Sequence, residues 1–530
     1  MADTPFAGKT GLIAAIQATW QELKTTFAAF GKAPRALWGI NLPYITEGLV
    51  YFGTLTILGK FCSENVRLSD LHSGWVYGGV TGGITFAMLV LGGVTDRIGV
   101  RRSLALALGT MMVGRFLIAL SGTLPLGHGM GSPMFFLMGF GLLLMVTAYG
   151  LYQPAAYAGV RRYTNPRTAA VGYGLIYGLM NLGAFASGFI SSGARHRFAG
   201  TFPPNGLPAV FWIYTVITLL GCLATLLIIT RRADRLAHER SLRETKEMEA
   251  GPEEKAAADG SAPPPSAPRI NPWPFLLLLA AALTSCVSFF LARSGRLAVP
   301  PLAVLLPGVA LLIVSGWEFL RHRPDHPFRD LRFVFFIFIL IPVQTLFAHT
   351  WLTVPYYLDR AFSGTTVSQN FEVFSNINPV LIFVLSPLIA ALTARANIYR
   401  MMILGTLVMA LPTFLLALGP NVFLFLVYVL LMSVGEAMWQ PRFLQWIAEI
   451  APPGKTGAYM GIGQFPWFLT KFLTATYSGW FIANYCPIPG PEATQRTGTM
   501  WLIYGIIAMV TPVTLLLARR WMIRGMKSKA

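Results

Sequence analysis

The chain has 530 residues, of which 54% are apolar and only 12% charged, and its 41 Lys and Arg against 22 Asp and Glu give a formal net charge of +19. A soluble surface needs roughly a quarter charged residues, so this composition excludes an ordinary soluble domain and points to long contact with lipid. The basic excess does not indicate nucleic acid, because it lies in short connectors between apolar stretches, where it sets orientation.

Residues 1–35 do not read as a cleavable signal, since the apolar run from Gly11 to Ala18 is broken by Gln17 and followed by Glu22 and Lys24. They are expected to form an amphipathic segment at the cytoplasmic membrane surface. With a span taken as about 20 mostly apolar residues, helices are expected at roughly 36–60, 73–96, 103–123, 133–160, 169–192 and 209–230, a six-helix bundle over 36–230. Residues 231–271 turn charged and then rich in Ala, Pro, Ser and Gly, the composition of a cytoplasmic linker. Two further spans, at roughly 272–293 and 299–320, occupy 272–320. The final bundle, 332–520, holds spans at roughly 332–357, 372–394, 400–419, 422–448, 457–484 and 499–519, and residues 521–530 form a tail. The expected fold is an all-α membrane protein of about fourteen spans, arranged six, two, six.

Basic residues fall in alternate connectors: Arg97, Arg101 and Arg102; Arg161, Arg162 and Arg167; Arg321, Arg323, Arg329 and Arg332; Arg395 and Arg400; Lys455; and the tail from Arg519 to Lys529. By the positive-inside rule both termini are cytoplasmic. Arg195 and Arg197 break the pattern on the other side. Cys62, Cys222, Cys286 and Cys486 show no metal-ligand or redox spacing; Cys62 and Cys486 both fall in external connectors, which leaves a disulfide open. No Gly-rich nucleotide loop followed by Lys and no metal-ligand cluster is present, so the expectation is no enzyme, no catalytic residue, no metal and no cofactor.

The connector Gly92-Gly93-Val94-Thr95-Asp96-Arg97-Ile98-Gly99-Val100-Arg101-Arg102 is more specific than a positive-inside loop, which accounts for the Arg residues but not for the Gly and Asp spacing. It resembles the G-x-x-x-D-R-x-G-x-R-R loop between the second and third helices of the major facilitator superfamily. That resemblance implies two six-helix bundles related by a pseudo-twofold axis along the membrane normal, with Gly92, Asp96, Arg97, Gly99, Arg101 and Arg102 as a conformational motif.

Within the first span, Glu47 is an ionisable group in lipid, at a cost of roughly 2.5–3.5 kcal/mol unless it faces a cavity or a partner. The segment Tyr44 to Gly53 resembles the E-x-x-E-R-F-x-Y-Y-G helix of the proton-coupled oligopeptide transporter family, with Glu47, Tyr51, Phe52 and Gly53 on the pattern. Tyr44, Gly48 and Leu55 depart from it, standing where the family has Glu, Arg and a second Arg. Tyr152-Gln153-Pro154 resembles the family's I-K-P, with Gln153 in place of Lys, and Tyr177 to Gly183 resembles its F-Y-x-x-x-N-x-G, carrying Asn181. In the second half Ser375 to Pro379, with Asn378 and then Pro387, resembles S-L-N-P…P, and Gly435-Glu436, Pro441, Leu444, Ala451-Pro452 and Lys455 keep a further family register. His349 is the titratable group nearest the position where the family usually has an acid. Bacterial members of that family also insert two helices between their bundles. The fifth span lacks the G-P-x-x-G-G pattern of drug/proton antiporters.

The resemblance implies a secondary active transporter: proton-coupled symport of a small polar solute, peptide-like or amine-containing, by a monomer in a bacterial inner membrane, with small molecule, proton and lipid as its partners and no nucleic acid. Glu47, His349 and Glu436 are the expected proton-coupling groups, and Tyr51, Gln153, Asn181, Asn378, Trp439, Glu436 and Lys471 the expected substrate contacts. Because Gly48, Leu55 and Gln153 remove the family's bases, the carboxylate clamp is missing unless Arg115 or Lys471 replaces it. A proton-driven exporter, or a transporter-like sensor or scaffold, is the alternative.

Overall fold

The computed structural model describes residues 35–91, 94–164, 166–249, 326–393, 396–450, 465–490 and 494–522, with a few isolated positions besides. Gly92, Lys455, nearly all of the amphipathic segment and the two expected extra spans lie outside the described residues. The described residues form helices and connectors with no strand. In the first half these are α1 (Arg35–Lys60), α2 (Asp70–Leu91), α3 (Val100–Ser121), α4 (Pro133–Tyr163), α5 (Pro166–Phe198), α6 (Leu207–Ile228) and α7 (Arg231–Glu249).

The chain divides into two compact units, one of Met1–Glu249 with Ile339–Ala530 and a second of Ala250–Phe338. The described end of the second unit is the turn Pro327–Arg329 and helix α8 (Leu331–Phe338), whose first turn is capped by the Asp330 carboxylate accepting from the Arg332 and Phe333 amides. The first unit continues with α9 (Ile341–Leu352), α10 (Val354–Ala361), α11 (Phe371–Ser375), α12 (Ile377–Leu392), α13 (Ile398–Ala410), α14 (Thr413–Leu416), α15 (Val422–Ile450), α16 (Phe465–Tyr485) and α17 (Thr497–Leu517).

Among the described residues nine helices are long and apolar enough to cross a membrane. Helices α1, α2 and α16 are also 26, 22 and 21 residues long. Glu47 in α1 and Lys471 in α16 lower their hydropathy, as expected where a helix faces other helices rather than lipid. The breaks in the second half have local causes. Pro342 and Pro355 each start a new helical segment, since a proline supplies no amide to the preceding turn and suits the first positions of the next. By contrast α4 runs unbroken through Pro154, begun by Ser132, whose hydroxyl accepts from the Phe135 amide ahead of Pro133.

Helix α1 packs on α5 and α6, α3 on α4 and α6, and α2 on α4; α15 packs on α12 and α13, and α9 on α16 and α17. The closest crossings use glycine. A Cβ on Gly114 of α3 would lie 2.6 Å from the Gly141 carbonyl oxygen of α4, and one on Gly141 would lie 2.6 Å from that of Gly114, so the two backbones touch. The halves meet where α2 packs on α16, α5 on α11 and α12, and α1 on α9.

Two expectations change in detail. The stretch 231–249, read as linker from its charge, is helix α7 packed on α4 and α1: Asp234 accepts from Arg162 Nε at 2.9 Å and from the Tyr163 hydroxyl at 2.8 Å, and Ser241 donates to the Thr164 carbonyl. Cys62 and Cys486 are both free thiols, Cys62 against the Met138 sulfur and Cys486 against the Tyr356 carbonyl, so they do not form a disulfide.

Candidate functional site

In the first half the site is built around Glu47. Helix α1 turns this carboxylate toward α3 and α4, where Arg115 grips it with two parallel bonds of 2.8 Å and Tyr149 donates to it at 2.9 Å. Arg115 is fully buried and also donates to the Tyr149 and Thr218 hydroxyls. Such a fork fixes both groups and cancels their charges. Around Glu47 a small cavity of about 10 Å³, room for little more than one water, is lined by Tyr44, Tyr51, Tyr149, Tyr152, Gln153 and Met180. Tyr44 stacks on Tyr152 at 5.8 Å, and Tyr51 meets the edge of Tyr149 at 5.0 Å. The Tyr152 hydroxyl is buried with no hydrogen-bond partner among the described residues. Gly48, where the resembled family has Arg, sits so close to α5 that a Cβ would lie 2.6 Å from the Met180 carbonyl oxygen. The missing base is therefore a packing requirement here.

In the second half Glu436 is 1% exposed, accepts a 3.0 Å bond from the Asn378 amide, and has no cation beside it among the described residues. The same Asn378 amide nitrogen also donates to Ser433 at 2.9 Å, which orients it toward α15. Lys471, half-buried on α16, has neither ion pair nor hydrogen bond among the described residues. His349 is fully buried, bonded to the Thr353 and Tyr477 hydroxyls at 2.7 and 3.1 Å and stacked on Tyr504 at 3.9 Å.

The structure thus brings Tyr51 and Gln153 together around Glu47, and joins Asn378 to Glu436. It turns two other expected contacts inward. Asn181 is 7% exposed and bonds the Tyr177 carbonyl of its own helix, and Trp439 is fully buried, donating to the Met409 sulfur and stacked on Trp467. In the signature connector, the short helix Val94–Ile98 ends at Gly99, whose φ of +84° suits glycine. Arg101 donates to the Ile229 carbonyl just beyond α6, a cation at a helix C-terminus, while Arg97 and Arg102 are exposed. Asp96 lies in that short helix.

A set of ion pairs across the two halves escaped the sequence reading. On the side of Lys60, that lysine pairs with Asp359 at 2.5 Å, Arg360 holds Asp70 through bonds of 2.7 and 2.8 Å, and Arg195 bonds Glu372 at 2.5 Å. Phe371, fully buried, receives Lys60 over its ring at 4.6 Å and Arg195 at 5.2 Å. Ser192 to Asn370 and Asn376 to Thr56 add bonds across the same seam. Arg195 had stood out as a base on the wrong side, and that was the available signal. On the opposite side Arg101, Arg162 and Arg442 each bond within their own half.

Comparison with known proteins agrees with this arrangement. The family model of the Major Facilitator Superfamily matches residues 40–363. An uncharacterized MFS-type transporter, YhcA of Bacillus subtilis (strain 168), is 28% identical over 150 residues, 28% of this chain and 27% of that protein, so the chain spans about a quarter of that relative's length in the match. Solved structures share the fold at low identity. A peptide transporter POT in complex with sulfate superposes with a TM-score of 0.65 at 18% identity, covering 93% of this chain and 95% of that one. A POT family transporter in complex with 5-aminolevulinic acid gives 0.63 at 18%, covering 92% and 97%, and tetrameric PepTSo2 gives 0.59 at 16%, covering 92% and 99%. The chain belongs to the major facilitator superfamily, an integral membrane transporter and not an enzyme, with the fold of the POT peptide transporters.

Proposed function

We propose that the protein is a proton-coupled symporter of a small polar solute bearing an amine, working by alternating access from a bacterial inner membrane with both termini in the cytoplasm. The observation that carries this reading is Glu436: a buried carboxylate held by Asn378 with no cation beside it among the described residues. An uncompensated acid in a membrane-spanning helix is a functional candidate, and a protonated amine or a proton is what neutralises it. Glu47 is already neutralised by Arg115, so of the three expected coupling groups Glu436 takes the leading role, with Glu47 and His349 behind it. Because Arg115 is committed to Glu47, Lys471 is the base left to receive an anionic group of the solute.

The ion pairs on the Lys60 side support an inward-facing state, since by the positive-inside rule that side is external. One proton entering down roughly 150 mV yields about 3.5 kcal/mol, enough for a few-hundredfold gradient. Proton and solute couple when each changes the relative energy of the two states.

Uptake into proteoliposomes tests the reading, with free, N-acetylated and amidated versions of one small amine-containing solute series. Glu436→Gln should lose accumulation driven by a pH gradient while keeping solute counterflow at a raised KM for the free amines. Unchanged pH-driven accumulation in that variant, or equal transport of the N-acetylated solutes, would reject Glu436 as coupling and amine-recognising group.

A further inference from the structure

Helix α7 carries two unlike faces. Its inner face, Asp234, Ala237 and Ser241, is spaced three and four residues apart and is the face fastened to the end of α4: Asp234 to Arg162 and Tyr163, buried Ser241 to the Thr164 carbonyl, with Ala237 buried between them. The other face bears exposed Arg231, Arg232, Arg235, Arg240 and Arg243, with Glu239 the exposed acid among the side chains described as far as Thr245. Among the described residues Arg240 alone of these arginines is paired, with Glu244 at 2.7 Å. Leu236 and Leu242 lie among them, 54% and 48% exposed.

The position of this face matters as much as its charge. Helix α6 ends at Ile228 and α7 starts at Arg231, with the Thr230 hydroxyl accepting from the Ala233 amide to begin the new helix. The arginine face therefore begins three residues beyond a membrane-spanning helix, on the same side as Arg101, which bonds the intervening Ile229 carbonyl. A helix with this many bases next to a span is suited to the headgroups of an anionic leaflet, to which each adds favourable energy, while exposed leucines reach the glycerol level.

We propose that the outer face of α7 docks on anionic phospholipid headgroups of the leaflet beside the signature connector, through Arg231, Arg232, Arg235 and Arg243. Charge complementarity selects this occupant: four guanidinium groups on one face, without an ion pair among the described residues, match phosphate oxygens. Through Asp234 and Ser241 the docked helix also ties the inner end of α4 to the membrane surface, so lipid charge acts on a helix that lines the Glu47 cavity.

Hydrogen exchange of the full chain in nanodiscs tests this. Phosphatidylcholine discs are compared with discs containing roughly a third phosphatidylglycerol, at low salt and at roughly 0.5 M salt, where the Debye length falls to a few ångströms. Peptides from 231–249 should exchange at least tenfold more slowly with the anionic lipid, and the difference should vanish at high salt. A variant with all four arginines changed to Gln should exchange equally in both discs, while its α3 and α4 peptides keep parental protection and so report an intact fold. Equal exchange of the parent in both discs would overturn the proposal. So would slow exchange in phosphatidylcholine alone, which assigns the face to another part of the chain, or a lipid effect that survives in the variant.

Discussion

The Glu47–Arg115 fork makes a quantitative prediction. Both side chains are essentially out of solvent, at 2% and 0% exposure, and two 2.8 Å bonds join them, yet Arg115 Nε has no partner among the described residues. In Glu47→Gln the shape is kept but a guanidinium remains in the core with nothing to balance it, at a cost of about 3–5 kcal/mol. Replacing both members by apolar residues of similar volume, as in Glu47→Leu with Arg115→Met, removes both desolvation penalties and should be neutral or stabilising by about 1–4 kcal/mol. Thermal unfolding of the parent, both single variants and the double variant in one detergent closes the cycle. The singles should melt well below the parent and the double variant should recover. A Glu47→Gln variant as stable as the parent, or a double variant whose loss equals the sum of the singles, would refute the view that these two charges exist for each other. The double variant also tests function: if it retains pH-driven accumulation, Glu47 is not required for coupling.

Three further outcomes follow from the geometry. Arg360→Ala frees Asp70 and the Cys486 carbonyl on the Lys60 side, and at about 1.5–3 kcal/mol per charge-assisted bond it should raise the outward-open population tenfold or more, seen as a longer distance between spin labels across that seam; unchanged distances would remove these pairs from gating. Gly183→Ala places a Cβ 2.3 Å from the Ile45 carbonyl oxygen and should cost about 1–3 kcal/mol, whereas Gly193→Ala on the same helix meets open space and should gain up to about 1 kcal/mol from helix propensity; equal melting shifts for the two would contradict the close α1–α5 crossing. Asp96→Ala should slow transport with solute affinity nearly intact, since its short helix lies in a connector, remote in sequence from the cavity residues; a matching loss of binding would reject that role.

Much of the helix succession is legible from hydropathy, because lipid demands long apolar runs and the described helices meet that demand wherever they face outward. The acids Glu47 and Glu436 are equally legible, since charge in a span is conspicuous. Their different circumstances are not. Whether Arg115 faces α1 or lipid depends on the rotation of α3 about its axis, which the Gly114–Gly141 contact sets and no local pattern declares. The pairs Lys60–Asp359 and Arg360–Asp70 join residues about three hundred positions apart, each looking like an ordinary connector charge when read alone. The helix α7 was obscured by its own charge, although Asp234, Ala237 and Ser241 already marked one face.

The glycine crossings of the first half carry a consequence for how motion is measured. Backbone laid on backbone at Gly114 and Gly141, and again at Gly48 and Gly183, leaves no side chains to slide or change rotamer between those helices. Displacement during a transport cycle then belongs at the polar seam between halves, where charged side chains part and re-form. Probes placed on α3 and α4 should therefore keep a constant separation through the cycle and serve as a built-in ruler, against which any distance that changes is assigned to relative motion of the halves.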